Sequence, residues 1–486
     1  MIKELRKIPD SGKSHPMNSA EYHCHLKSSG YAEDEYLMTG TANIYTENED
    51  RRVSVIFPEA PYTTRLLVRR PVEVTAFSGN VVLEILNSTA MTDIDRMWIN
   101  AWPYLMRNGD IYIGITSKGH VVDALKCFDP QRYAKINWAN PLPGRRRPER
   151  TSSVLKFLPQ FESGLFWDML MDLAGLLRSD TPDNPVSRYH PDFLYLTGWS
   201  QSGSYVTRIV KSFACLPENR PGGKPLFDGY LAAGCGADVA PVNAYELRDK
   251  EMLRPERIPA QSVIGAEVPY ININTESENR AVNWHGDSDD PGSRFRVYEI
   301  PASSHDSFYN LIGYYEGQGQ EDQIKAGVPL AYDGLEEIPL DSAYEMVFSA
   351  AFRNLYGWVR KGIPAPHAPK IETEFTSRPM EEAFGAAVKN KTDLFGNAQG
   401  GIRLPAVECP IYTYHSASRR KGGGLNPLFG WMEPFGKDRF RAVYGTEAQY
   451  EKILTEKTAA ACAAGFLLKE DIQAYEDFFL KKLQEW

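Results

Sequence analysis

The chain of 486 residues has no uninterrupted apolar run of the roughly eighteen residues that a membrane-spanning helix needs, so no membrane partner is expected. Its six cysteines, Cys24, Cys127, Cys215, Cys235, Cys409 and Cys462, are scattered without a C-x-x-C pair. That pattern predicts free, mostly buried thiols in a reducing compartment. Excess positive charge is also missing. The formal net charge of −9 argues against nucleic acid, whose phosphates select basic faces. Arg145-Arg146-Arg147, between Pro143 and Pro148, reads as a solvated loop. The opening Met1-Ile2-Lys3-Glu4-Leu5-Arg6 has none of the continuous apolar character of a secretory signal, so a cytoplasmic protein is expected. There is no His-Glu-x-x-His, no phosphate loop and no dinucleotide glycine pattern; Gly317-Gln318-Gly319 lacks the third glycine. No cofactor is expected. His23 and His25 flank Cys24 at strand-like spacing but have no third ligand, so no metal is expected either. His120, His190, His285, His367 and His415 read as surface or packing residues.

What is present is material for a large core: 42% hydrophobic and 12% aromatic residues, with 24% charged. The length exceeds the usual ceiling of one compact core. The expected division is a β-rich N-terminal extension over 1–75, a central α/β core over 76–310, and a cap with C-terminal helical elaboration over 311–486 packed on the core as one structural unit. In the extension, residues 41–45, 53–57 and 64–68 read as short strands. Compact apolar runs follow at 80–86, 111–115, 193–197, 229–233, 269–273 and 295–300, as in buried parallel strands. Helical patterns lie between them at 98–106, 166–177 and 204–215. Alternating strand and helix imply a mostly parallel, doubly wound α/β sheet. Beyond residue 310, stretches 342–361, 446–467 and 471–483 read as helices.

The chemistry concentrates at Gly198-Trp199-Ser200-Gln201-Ser202-Gly203, where a buried strand ending at Thr197 meets a helix beginning near Gly203. A sharp turn there needs small neighbours, supplied by Gly198 and Ser202, and lifts the Ser200 hydroxyl above the sheet edge. The N–H of Gln201 is then the first oxyanion donor. Ser202 is a second-ranked nucleophile, because it would move the turn two residues into the helix and leave Gly198 without a role.

A serine hydroxyl needs a histidine to take its proton and a carboxylate to orient that histidine. In α/β-hydrolase folds both lie just past the ends of late strands. His305 follows the strand to Ile300. Glu276 and Glu278 follow the strand to Ile273, and Asp238 follows the strand before that. Glu278 is the chosen acid, for reach; Glu276 reads better as a solvated loop charge, and Asp238 stays as an alternative. A second oxyanion donor is expected from Asn87-Ser88-Thr89, with Ser88 the candidate.

The chain also resembles a bacterial family described as alpha/beta hydrolase domain proteins. The likeness is carried by Tyr36-Leu37-Met38-Thr39-Gly40-Thr41-Ala42, Thr64-Arg65-Leu66-Leu67-Val68-Arg69-Arg70-Pro71, 81–87, Arg132-Tyr133-Ala134 and the elbow 198–203. It continues through Val268-Pro269, Thr275-Glu276, Tyr298-Glu299-Ile300, Trp358-Val359-Arg360-Lys361-Gly362 and Gly400-Gly401-Ile402-Arg403-Leu404-Pro405. The resemblance implies an α/β-hydrolase fold and an esterase-like activity using Ser200, an acid after the Val268 strand, and His305. Where such proteins often carry aspartate two residues after Thr-Glu, this chain has Glu278.

The expected function is therefore hydrolysis of a small-molecule carboxylic ester through a Ser-His-Glu triad and an acyl-enzyme. Acyl transfer on the same triad and a non-catalytic ligand-binding protein of this fold are the alternatives. Product analysis with added acceptors separates the first, and ligand affinity without covalent labelling marks the second.

Overall fold

The structure is a computed structural model and describes all residues except 12, 49–51, 143–157, 159, 237–239, 244–265, 280–285, 329–336, 379–387, 420–423 and 486. Arg145-Arg146-Arg147, Asp238 and His285 thus lie outside the described residues. The chain divides into two units. The first comprises Met1–Pro269 with Pro291–Ser293 and Tyr315–Ala331, and the second Tyr270–Asp290, Arg294–Tyr314 and Tyr332–Trp486.

In the first unit, strands β1 (Ile2–Ile8), β2 (Tyr31–Glu47), β3 (Val53–Pro71), β4 (Asn80–Ile85), β5 (Ile111–Ile115), β6 (Phe193–Trp199) and β7 (Gly229–Ala233) form a sheet in the order β1-β2-β3-β5-β4-β6-β7. β4 pairs in parallel with β5 and β6, and β6 with β7. β4, β5 and β7 are buried along their whole length, which is why their sequences carry no polar alternation. Helices α1 (Arg96–Asn108), α2 (Phe166–Leu177) and α3 (Gln201–Arg208) supply the intervening connections, α3 continuing as a wider turn to Phe213.

The three short N-terminal strands expected from the sequence are in fact two long ones: 41–45 lies within β2, and 53–57 and 64–68 belong to the single strand β3. β2 and β3 pair antiparallel from Tyr31↔Pro71 to Glu47↔Val53, and β3 continues antiparallel onto β5. Pro58, Glu59 and Pro61, between the two expected pieces of β3, hid its continuity; beyond them charged side chains are buried in pairs. Arg65 bonds Glu35 and lies 3.2 Å from Asp93; Arg69, four residues on and so on the same face, bonds Glu33 at 2.7 Å. Glu84 in β4 is also buried. Its carboxylate accepts the Met97 and Trp98 N–H groups at 2.8 and 3.0 Å, capping the start of α1, and the Tyr112 hydroxyl at 2.8 Å; burial pushes it up to about 8.

In the second unit, β8 (Tyr270–Thr275) and β9 (Phe295–Ile300) pair in parallel, both fully buried. Helix α4 (Met346–Lys361) follows and is closed by Gly362 at φ 65°. The region beyond residue 310 also holds small β-pairs that the sequence reading missed. They are β10 (Thr373–Phe375) with β11 (Val388–Asn390), β12 (Tyr412–His415) with β15 (Trp431–Pro434), and β13 (Ser418–Arg419) with β14 (Leu425–Asn426). Two to four residues are too few to display a period. Helices α5 (Gly436–Tyr444), α6 (Glu447–Ala463) and α7 (Ile472–Gln484) complete it.

None of the cysteines is bonded to another; Cys24, Cys235 and Cys409 are buried, but Cys127 and Cys215 are exposed, so the thiols are less buried than expected. Among the described residues no helix is long and apolar enough to cross a membrane, and no group of three or more His, Cys, Asp or Glu side chains is arranged to hold a metal ion.

Candidate active site

β6 ends at Trp199 and α3 starts at Gln201, so Ser200 alone makes the turn. Its backbone has φ 58° and ψ −122°, a conformation that L-residues rarely adopt and that costs on the order of 1–3 kcal/mol. The turn is held from both sides: Ser200 N–H donates to Ala233 O at 2.7 Å, and Ser204 N–H donates to Ser200 O at 3.0 Å. The glycines around it are required by contact. A Cβ on Gly198 would sit 2.6 Å from the Ser202 carbonyl, and one on Gly203 would sit 2.8 Å from the Ala233 carbonyl and 2.9 Å from Cys235. The helix begins two residues earlier than the sequence suggested, directly after the nucleophile candidate. Ser202 is fully buried and donates its hydroxyl to Leu86 O at 3.1 Å, so it ties the helix to the end of β4.

Beside this turn lies the loop after β4. Gln201 is buried and its Oε1 accepts the Ser88 hydroxyl at 3.2 Å, which brings the two candidate oxyanion residues together. Asn87 fixes the loop further. Its Nδ2 donates to Trp199 O at 2.9 Å, its Oδ1 accepts Thr89 N–H at 2.9 Å, and its backbone exchanges hydrogen bonds with Ile94. His120 Nε2 lies 2.9 Å from Ser88 O, and Ser117 donates to Leu86 O at 2.7 Å. His120 is therefore a buried packing residue that braces the loop after β4. Asn87 and His120 were missed because each acts through a side-chain-to-backbone bond between distant segments, for which sequence spacing carries no signal.

The second unit holds the imidazole. β9 ends at Ile300 and the chain turns through Ala302, at φ 55°, to His305, which is 7 % exposed. Its Nδ1 lies 2.6 Å from Glu278 Oε1, and its backbone N–H donates to Ser277 Oγ at 3.0 Å. Glu278 is in the short helical turn Glu276–Asn279 directly after β8, and its other oxygen accepts both the N–H and the hydroxyl of Thr275 at 2.7 Å. A carboxylate fixed by two donors and facing Nδ1 selects the Nδ1–H tautomer and makes Nε2 the basic nitrogen.

The sequence profile of the alpha/beta hydrolase domain matches residues 4–477. The chain belongs to that family. A mostly parallel sheet with helices, a serine at the β6–α3 turn and a histidine after β9 are the α/β-hydrolase fold. Among solved structures, esterase Est22 is similar at 12% identity with a TM-score of 0.33, covering 64% of this chain and 83% of that one. A serine hydrolase homologue from Coxiella burnetii matches at 6% identity and TM-score 0.25, over 55% of this chain and 91% of its own. A lipase/esterase from Lactobacillus plantarum matches at 11% and 0.28, over 46% and 77%. No curated protein matches.

Within this α/β-hydrolase chain the two loop glutamates have separate tasks. Glu276, expected to be a solvated charge, is buried; it accepts Ala302 N–H at 2.6 Å and Asn390 Nδ2 at 2.9 Å, bracing the turn that leads to His305. Further support comes from Tyr344, which donates to Ser304 O at 2.8 Å, and from Leu428 O, which accepts Asp306 N–H at 2.7 Å.

Proposed function

We propose that this protein hydrolyses carboxylic esters through an acyl-enzyme on Ser200, with His305 as base and Glu278 as its orienting acid. Ser200 Oγ attacks the ester carbonyl while His305 Nε2 takes its proton. The oxyanion formed is held by the N–H of Gln201 and a backbone N–H at Ser88. Collapse expels the alcohol, which receives the proton back from Nε2–H. Water, deprotonated by the same nitrogen, attacks the acyl-enzyme and releases the carboxylic acid. The carboxylate of Glu278 orients the ring and stabilises the imidazolium formed in each step.

The observation that carries this reading is the backbone of Ser200. A strained conformation between a buried strand and a helix start, beside two glycines that tolerate no Cβ, is not explained by packing, since glycine would make the same turn without the penalty. The paired His305 and Glu278 provide what that hydroxyl needs to react.

The test is covalent labelling with a fluorophosphonate. Wild-type protein is expected to label at Ser200, Ser200→Ala not at all, and His305→Ala at least a hundredfold more slowly. Undiminished labelling of Ser200→Ala overturns the assignment.

A further inference from the structure

Lys118 follows β5 in the loop 116–120. Its side chain is 2 % exposed, and its ammonium lies 3.9 Å from the centroid of the Tyr205 ring with no hydrogen-bond acceptor among the described residues. Buried lysines are ordinarily paired, because an ammonium out of water needs a counter-charge or acceptor. Of the carboxylates of the neighbourhood, Asp93 bonds Arg65 and the Thr116 hydroxyl through Oδ2 and Glu162 bonds Gly164 N–H through Oε1; neither makes a hydrogen bond to the ammonium. Burial pushes Lys118 well below the ordinary lysine range, with the pull of Asp93 opposing it.

Its position is as telling as its isolation. Gln201 and Tyr205 are four residues apart on α3 and share a face. Gln201 on that face meets Ser88 of the oxyanion loop, and Lys118 lies over Tyr205 one turn further on. The same loop is strapped to the oxyanion loop by Ser117 on Leu86 O and His120 on Ser88 O. Against Gly119 packs Trp138, so closely that a Cβ on the glycine would meet it at 2.9 Å. The indole N–H of Trp138 is likewise buried with no acceptor among the described residues. An indole nitrogen can only donate, as can an ammonium. Two buried donors at adjoining segments, both lacking an acceptor, are the half of an anion site that a protein supplies.

We propose that Lys118 recognises a carboxylate carried by the ester substrate, so that the preferred substrates are half-esters of dicarboxylic acids or esters of hydroxy acids rather than neutral esters. This rests on Ser200 being the nucleophile, and the experiment separates the two claims. Two pairs of p-nitrophenyl alkylphosphonates are used: in one pair the phosphorus-bound chain ends in a carboxylate or in its primary amide, and in the other the alkoxy chain does. Nitrophenolate release reports the rate at which Ser200 is phosphonylated, and the amide probes report the nucleophile independently of charge.

Wild-type protein is expected to react at least tenfold faster with the carboxylate probe in one of the two pairs, and that pair identifies the acid or the alcohol side. Lys118→Met should reduce this ratio to about one while keeping the amide-probe rate within twofold; should Lys118→Met lose amide labelling through misfolding, Lys118→Gln is read instead. Wild-type ratios of one or less in both pairs, or a ratio unchanged in the variant, overturn the inference: the ammonium then serves Tyr205 alone. Failure of the amide probes to label wild-type protein overturns the serine-hydrolase reading, and the inference with it.

Discussion

Nδ1 of His305 and Oε1 of Glu278 are 2.6 Å apart, while Glu276, two residues before Glu278, turns its carboxylate to the Ala302 N–H and the Asn390 amide. Two glutamates in one helical turn are thus divided between orienting a ring and holding the backbone that carries it.

Different consequences for kcat are expected of the two isosteric amides. Glu278→Gln cannot hold the Nδ1–H tautomer and should lower kcat by about 10³- to 10⁴-fold, with a stability cost no greater than that of Glu276→Gln, since Glu278 too accepts two further donors. Glu276→Gln leaves His305 its partner but replaces an acceptor of two donors, so it should cost about 1–3 kcal/mol of stability and less than tenfold in kcat. Steady-state kinetics on a p-nitrophenyl ester beside thermal melts decides between them. A Glu276→Gln defect that matched Glu278→Gln would reverse the roles.

At the elbow, the φ of 58° makes a trade between stability and activity measurable. Glycine adopts this backbone without a Cβ penalty. Ser200→Gly and Ser200→Ala should both be inactive, yet the glycine variant should resist urea better than the alanine one by roughly 1–2 kcal/mol. Equal midpoints would show that the turn stores no strain.

The parts of this architecture that were readable without coordinates are those governed by local rules. β4 to β9 appear as largely apolar runs because they are buried, and the elbow appears because small residues flank its serine, Gly198 being forced by Ser202 four residues on. His305 was readable because it follows one such run. Long-range pairing was not. β3 looked like two strands because Pro58, Glu59 and Pro61 interrupt it, and only its pairing with β2 carries it through; Arg65 and Arg69 are buried residues because Glu35 and Glu33 of β2 meet them. Asn87, His120 and Lys118 likewise take their meaning from Trp199, Ser88 and Tyr205. The start of α3 at Gln201 rather than Gly203 was hidden because Ser and Gly are weak helix formers, and the packing of α3 on the sheet overrides that preference.

Asn87 is expected to matter more than Ser88's hydroxyl, although neither acts through its own side chain on substrate. Asn87→Ala removes the bonds to Trp199 O and Thr89 N–H together and frees the loop that should supply an oxyanion donor. Displacement of about 1 Å there is worth on the order of a hundredfold in kcat. Ser88→Ala removes a hydroxyl bond to Gln201 and keeps every backbone N–H, so roughly a two- to fivefold loss is expected. Phosphonylation rates of the two variants check the ranking; a larger loss for Ser88→Ala would move the contribution to the hydroxyl itself.

Far from the elbow in sequence, Glu345 at the start of α4 predicts a dependence of stability on pH. It is buried, and burial, aided by the charge of Asp341, pushes its carboxyl up to about 8. In an unfolded chain it would titrate near 4.5. Between those values the folded protein keeps a proton that the unfolded chain has released, so raising the pH favours unfolding. The contribution is therefore complete below pH 4.5 and is lost as the pH rises through 8. Glu345→Gln stays neutral throughout. Its melting temperature should match wild type at pH 5 and exceed it increasingly toward pH 9, by an amount equivalent to a few kcal/mol at about 1.4 kcal/mol per unit of displacement. Other buried acids such as Glu84 titrate alike in both proteins, so the difference between the two melting curves isolates this group. A constant difference from pH 5 to 9 would mean that Glu345 is already ionised in the fold.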